Sequence, residues 1–281
     1  MGDDVEFRLG LIGDGIGRSS APRLHRLAGG IVGRSVSYSL FDLDGRVDTG
    51  FEATLAACGR DGLAGVNVTH PYKERAAAIV PIQDPRVRRI GAINTVLFRD
   101  GDAVAGHNTD HSGFVAAYRS RMGAERPGPV ALVGTGGVGR PIAVGLGELG
   151  ADEIRVYDID GARARRVAVD LTTPEVPVRA CATVEEALEG AAGIVNATPI
   201  GMYRYPGNPV PAATMGRPGW VFDAVYTPRE TEFVVEAGRR GAAVISGWEL
   251  FFWQGVHAFR LFTGIDVDEA ALRAALERPE D

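Results

Sequence analysis

The run "VALVGTGGVGRPIAVGLGELG", Val130 to Gly150, constrains this chain more than any other part of it. Apolar residues suited to a buried strand lead directly into a glycine-rich loop, and a helical pattern follows. Among 38 glycines a bare G-x-G-x-x-G match carries little weight, but the strand before it and the helix after it make it specific. Each glycine has its own physical task. Gly134 permits the tight turn, Gly136 lets the backbone approach a pyrophosphate, and Gly139 allows helix to pack closely on strand. Gly137 and Val138 complete the loop, whose N–H groups and helix dipole together attract phosphate. A local device of this kind lets a chain of net charge −6 hold an anion.

Asp158 closes the strand "IRVY" 24 positions after Gly134. That is close to the ~20-residue spacing at which a ribose-binding acid is expected. A carboxylate there accepts hydrogen bonds from adenosine ribose hydroxyls and repels a 2′-phosphate, which predicts NAD in preference to NADP. Arg163, Arg165 and Arg166 lie just beyond, and an arginine here can hold such a phosphate, so NADP remains the alternative and Arg163 counts among the cofactor-binding candidates. Two other assignments compete: Asp158 as cap of the following helix, and a nucleotide fold that has lost its cofactor.

The rest of the chain alternates strand and helix patterns, which predicts an α/β architecture. "FRLGLIG", "VSYSLFDL" and "AGVNVT" read as strands, with helices after Pro22, over "GFEATLAACGRDGL", and over "PYKERAAAIV" with Pro71 at its start. "GAINTVLF" and "AVAGHNTD" read as a strand pair around "RDGD". After Asp110 come the helix "HSGFVAAYRSRMG", the glycine-loop unit and the strands "AAGIVNATP", "GWVFDAVY" and "AAVISG". Two late helices, "FFWQGVHAFRLFTG" and "DVDEAALRAALE", could cover either half. With 281 residues, two domains are expected.

Bulk charge gives no reason to expect nucleic acid or an anionic membrane as partner. No apolar run approaches a bilayer span, and the opening "MGDDVEFRLG" lacks a signal core, so a cytoplasmic location is expected. Two distant cysteines, Cys58 and Cys181, suit buried thiols. His107 and His111 are four apart without the glutamate of a metal-binding helix, so no metal is expected.

The ordered motifs "GLIGDGIGRSSAPRLH", "GVNVTHPYK", "GAINTV", "GHNTDHSGF", "VGTGGVG", "NATPIGM" and "FDAVYTP", with a late helix carrying Gln254, resemble the shikimate/quinate dehydrogenase family over nearly the whole chain. The resemblance implies an N-terminal α/β substrate domain, residues 1–112 with 250–281, and a Rossmann-type dinucleotide-binding domain, residues 113–249, with a cleft between them. It implies a catalytic lysine at Lys73 and a catalytic aspartate at Asp110. Substrate would meet Ser19, Thr69, Asn94, Tyr226 and Gln254, and the nicotinamide would lie by Thr198, Pro199, Met202 and Val225. The substrate implied is a hydroxylated cyclohexane or cyclohexene carboxylate. Monomer and homodimer stay open, as does a catabolic or biosynthetic direction. The opening "LGLIGDGIG" and the strand-end "DID" resemble the NAD-using, quinate-accepting branch more than the NADP-using biosynthetic one.

Two departures bear on the substrate. Ala21 stands where the family often has a second hydroxyl, and Glu249 and Leu250, beside Trp248, replace the usual late residues; a carboxylate at Glu249 would suit an amino-substituted relative such as aminoshikimate, or face solvent. Taken singly, Lys73 is a solvated helix-start lysine and Asp110 a helix cap; the surrounding motifs give them a role. Oxidising a secondary alcohol needs a proton acceptor within hydrogen-bond reach of the hydroxyl, and Lys73 with Asp110 as orienting partner provides one. A nucleotide-sensing homologue without turnover would need neither.

Overall fold

The computed structural model describes residues 7–44 and 50–279; the acidic opening, residues 1–6, lies outside them. The chain divides into two compact units, Met1–Thr109 with Gln254–Asp281, and Asp110–Trp253.

In the first unit, β1 (Phe7–Gly13), β2 (Val36–Asp42) and β3 (Gly65–Val68) run parallel, and β4 (Thr95–Arg99) and β5 (Asp102–His107) add antiparallel, in the order β2-β1-β3-β4-β5. The β4–β5 turn places Asp100 at φ 52° and Gly101 at φ 90°, the positive pair for which Asp-Gly is suited. The helices are α1 (Ala21–Ile31), α2 (Gly50–Arg60), α3 (Lys73–Ile79) and α4 (Pro85–Ile90). On one side Ile12, Val66, Val68 and Val96 pack with Phe51 and Leu55 of α2. On the other, Leu9, Leu11 and Tyr38 pack with Ala258 and Phe262. Those two belong to α10 (Gly247–Thr263), and α11 (Glu269–Glu277) follows it. Arg23 of α1 donates to the Leu276 carbonyl at 2.8 Å, so α11 returns to this unit together with the part of α10 from Gln254 onward. Gly65 is glycine because a Cβ there would lie 2.4 Å from the Phe262 ring.

One local expectation needs correction. Pro71 does not open α3: the chain first turns, with the Tyr72 N–H on the Thr69 carbonyl at 2.9 Å, and the helix begins at Lys73. Helix α4, unread in the sequence, starts on the Asp84 carboxylate, which accepts from the Arg86 N–H at 2.8 Å, and stops at left-handed Gly91. His107 ends a strand while His111 lies on α5 (Thr109–Met122), so the two do not share a helix.

In the second unit six parallel strands, β6 (Pro129–Val133), β7 (Glu153–Tyr157), β8 (Val178–Ala180), β9 (Gly193–Asn196), β10 (Trp220–Asp223) and β11 (Ala243–Ile245), lie in the order β11-β10-β9-β6-β7-β8. This is the doubly wound order of the Rossmann fold, reversing direction between β6 and β9. Helices α6 (Gly139–Glu148), α7 (Gly161–Leu171), α8 (Val184–Leu188) and α9 (Glu232–Arg239) link the strands. One face packs Leu132, Val156 and Phe222 with Phe114, Tyr118, Ile142 and Leu146; the other packs Val133, Ile194 and Val221 with Phe233. Strand β8, a three-residue edge, leaves no mark in the sequence because so short a run shows no alternation. "WELFFW" is core: Leu250, Phe251 and Phe252 are all buried.

Candidate active site

The glycine loop leaves β6 as its spacing requires. Gly134 takes φ 93°, and its N–H bonds the Tyr157 carbonyl at 2.8 Å. A Cβ there would meet Thr198 Cγ2 at 2.8 Å and the Ala197 backbone at 2.9 Å. At Gly139 a Cβ would sit 2.2 Å from the Gly134 carbonyl oxygen, so helix α6 can begin this close to the loop only without a side chain. Gly136 is different: only Arg163 Nη1, at 4.0 Å, comes near its Cβ position, which leaves backbone open to a ligand. Val138 stands at the N-cap of α6 and makes no side-chain cap, as expected of a helix start that offers its N–H groups outward. These features fit the diphosphate of a dinucleotide.

Asp158 holds this loop to β7. Its Oδ2 accepts from the Thr135 N–H at 2.8 Å and the Thr135 hydroxyl at 2.7 Å, and its Oδ1 from the Asp160 N–H at 2.9 Å. The cap of α7 is Asp160, which accepts from Ala162 N–H at 3.0 Å and Arg163 N–H at 3.1 Å. The Arg163 N–H is the main reason the Asp160 carboxyl lies below its ordinary range, with the Arg166 and Arg163 charges adding to it. Asp158 is therefore not the helix cap. A carboxylate has about four acceptor sites, so Asp158 keeps capacity for ribose hydroxyls.

Two further loops leave β9 and β10. Asn196, fully buried, accepts on Oδ1 from the Thr198 N–H at 2.9 Å and hydroxyl at 2.7 Å, and donates from Nδ2 to the Ile200 carbonyl and to Asp223. Pro199 accepts from the Met202 N–H at 3.1 Å, closing a turn that exposes Met202. The Cβ position of Gly201 lies 3.8 Å from Val225 Cγ2, so the two loops meet. Tyr226 stacks on Phe251 at 5.3 Å between centroids, and burial raises its phenol above the ordinary value. Arg229 lies over the Trp248 ring at 4.1 Å.

The first unit carries Ser19, Thr69, Lys73, Asn94 and Gln254. Ser19 precedes α1, and its Oγ accepts from the Ala21 N–H at 3.2 Å. Thr69 follows β3 and packs so closely on Gly13 that a Cβ there would lie 2.2 Å from Thr69 Cγ2. Lys73 is the half-buried first residue of α3, and its carbonyl accepts from the Ile93 N–H at 3.0 Å. Asn94 is buried; its Oδ1 accepts from the Thr109 N–H at 2.7 Å and from the hydroxyls of Thr109 and Thr95, each at 3.1 Å. Because an N–H can only donate, that side of the amide must be oxygen, and Nδ2 is left facing the other way as a donor. Gln254 lies half-buried in α10, and buried Asp110 opens the second unit on the first turn of α5.

Sequence reading missed the polar residues behind these positions. Asp42 accepts from the N–H groups of Gly15 and Ile16 and so shapes the loop after β1. Buried Asn67 takes the Tyr38 hydroxyl at 2.9 Å and donates to Thr95. Thr135, Asn196 and Asp223 do the same work in the second unit. The sequence signal for several of them is an Asp or Asn at a strand end, as Asp42, Asn196 and Asp223 are. His111 lies 3.3 Å from Glu148, and among the described residues no group of three or more His, Cys, Asp or Glu could hold a metal. No helix of the described residues is long and apolar enough to cross a membrane.

A Rossmann sheet with this loop, joined to a second α/β unit, defines a two-unit oxidoreductase of the nicotinamide-dinucleotide class. Residues 11–96 match the family model of the shikimate dehydrogenase substrate binding domain, and residues 247–277 that of the shikimate 5′-dehydrogenase C-terminal domain. Residues 108–226 match the ornithine cyclodeaminase/mu-crystallin model, across most of the second unit. A shikimate dehydrogenase (NADP(+)) of Streptomyces avermitilis is 40% identical over 95% of this chain and 94% of its own length. A quinate/shikimate dehydrogenase (NAD(+)) of Corynebacterium glutamicum is 35% identical over 94% and 96%. In structure, quinate dehydrogenase from Corynebacterium glutamicum in complex with NAD superposes with a TM-score of 0.87 at 33% identity, covering 97% of this chain and 99% of that one. Shikimate 5-dehydrogenase from Thermus thermophilus in complex with NADP(H) and shikimate gives 0.85 at 34%, covering 96% and 98%. The chain belongs to the shikimate/quinate dehydrogenase family, enzymes that oxidise and reduce an alcohol group with a nicotinamide dinucleotide.

Proposed function

We propose that the protein interconverts shikimate and 3-dehydroshikimate, and quinate and 3-dehydroquinate, using NAD. Bound NAD would supply the hydride acceptor. Lys73 takes the hydroxyl proton during oxidation and returns it during reduction, with Asp110 as its orienting partner and a ligand of a neighbouring substrate hydroxyl. Ser19, Thr69, Asn94, Gln254 and Tyr226 bind the ring substituents. The loop from Gly134 to Gly139 holds the diphosphate, Asp158 the adenosine ribose, and Thr198, Pro199, Met202 and Val225 line the nicotinamide side.

One observation carries the proton-transfer assignment. Two consecutive residues hold the two stretches of backbone concerned: Ile93 bonds the Lys73 carbonyl at 3.0 Å, and Asn94 bonds the Thr109 N–H, one residue before Asp110, at 2.7 Å. A donor and its partner must be preorganised within a fraction of an ångström to act together, and anchoring both backbone stretches on neighbouring residues supports this reading. The NAD assignment is supported by Asp158, whose charge stands at the strand end where a 2′-phosphate would come. NADP is the second reading, favoured by exposed Arg163, Arg165 and Arg166 just after it and by the NADP(+) relative in Streptomyces.

The test offers quinate and shikimate each with NAD and NADP and follows reduced nicotinamide. Turnover with NAD supports the reading; turnover with NADP alone replaces the cofactor. Lys73→Ala is expected to keep dinucleotide binding and to lose turnover by roughly 10²–10⁴-fold. Undiminished turnover would refute the assignment of Lys73.

A further inference from the structure

We infer that Asp223 is a positioning residue for the dinucleotide, setting the loops after β9 and β10 against the glycine loop; the inference rests on the dinucleotide reading above. In a doubly wound sheet the ligand lies beyond the carboxyl ends of the strands, where their order reverses. Here that is the edge between β6 and β9, where Gly134 backs directly on Thr198. What holds Thr198 is Asn196, and what holds Asn196 is Asp223.

The Asp223 carboxyl is wholly buried and gathers donors from three places. Oδ1 accepts from Asn196 Nδ2 at 2.9 Å and from the Val225 N–H at 3.0 Å; Oδ2 accepts from the Thr231 hydroxyl at 2.5 Å. Thr231 Oγ in turn accepts from the Val234 N–H at 3.2 Å and caps α9. So one side chain joins the β9 loop, its own loop and the start of a helix. Among the described residues, the groups that hydrogen-bond to it, Asn196 from β9, the Val225 N–H and Thr231, are all neutral. A buried carboxyl without a counter-ion is a poor way to stabilise a fold, since apolar groups of similar volume pack as well without the desolvation cost. Its value lies in geometry: two acceptor oxygens at a fixed spacing hold two loops in one register.

Three variants separate this role from bulk stability. Asp223→Ala removes one of the two acceptors of Asn196 Nδ2, leaving it the Ile200 carbonyl, and removes the acceptor of the buried Val225 N–H. The loops are then expected to re-form, raising the dissociation constant for NADH or NADPH, by fluorescence titration, about tenfold or more. Asp223→Asn keeps an acceptor at Oδ1 and is expected to stay within about threefold of wild type. Asn196→Ala severs Thr198 from Asp223 and should weaken dinucleotide binding as Asp223→Ala does, which keeps the test available if that variant fails to fold. Shikimate binding, measured without dinucleotide, is expected to stay unchanged in Asn196→Ala, whose own loop carries none of the proposed substrate ligands. Wild-type affinity in both Asp223→Ala and Asn196→Ala would overturn the inference. So would an equal loss in Asp223→Asn, or a parallel loss of shikimate binding in Asn196→Ala. A wild-type protein that binds neither NADH nor NADPH would instead remove the dinucleotide reading itself.

Discussion

Asp223 also makes a prediction about stability that runs against the usual effect of a carboxylate. Burial is the main cause that lifts its pKa from 3.8 to about 6, against the opposing bonds from Thr231, Val225 and Asn196. A folded-state value above the unfolded one means that the native protein binds the proton more tightly. Stability from this group is therefore greatest below pH 3.8 and is lost as pH rises through about 6. About two pH units at roughly 1.4 kcal/mol each puts the cost of the ionised form near 3 kcal/mol at neutral pH. Asp223→Asn removes the titration, keeps Oδ1 as acceptor for Asn196 and Val225, and turns its amide nitrogen toward Thr231. The variant is expected to be more stable than wild type at neutral pH, by up to about 3 kcal/mol, with the gap closing toward pH 4. Urea unfolding of both proteins at several pH values reads this directly, because all other titrations cancel in the difference. A variant less stable than wild type at neutral pH, or a difference flat with pH, would refute the reasoning.

Three further outcomes follow from named contacts. Gly139→Ala drives a Cβ to 2.2 Å from the Gly134 carbonyl oxygen, so the loop must shift; stability should fall by about 1–3 kcal/mol and NADH affinity should drop, both checked by thermal unfolding and titration. Asp158→Ser removes the charge at the strand end and the acceptor of Thr135, while Arg163, Arg165 and Arg166 remain. The ratio of kcat/KM for NADP over NAD is expected to rise at least tenfold, about 1.4 kcal/mol of discrimination, and an unchanged ratio would count against a role in ribose recognition. Asn94→Leu leaves the buried Thr109 N–H without its acceptor; a loss of about 1–3 kcal/mol in stability and a fall in kcat are expected from urea unfolding and steady-state rates.

What was legible in the sequence was whatever depends on near neighbours. The β6–loop–α6 passage could be read because strand period, glycine spacing and helix period occur in one run of residues. The β4–β5 hairpin could be read from Asp-Gly, since only such pairs take positive φ at little cost. Helix α4 was equally local, with Asp84, Pro85 and Gly91 as its start and stop, yet its six residues show too little period to draw notice. Pro71 was misplaced because a proline suited to a helix start is also suited to the turn before it.

The sequence by itself therefore determined the fold class, the dinucleotide loop and the family, since the motifs keep their order and identity along the chain. Tertiary structure alone decided which polar groups complete one another. Asn196 and Asp223 are 27 positions apart, and Asn94 and Thr109 are 15 apart. No local pattern announces either pair, because a buried donor finds its acceptor through the stacking of strands and not through spacing. It also decided that Asp160, not Asp158, caps α7, and so left Asp158 at the strand end with acceptor capacity to spare.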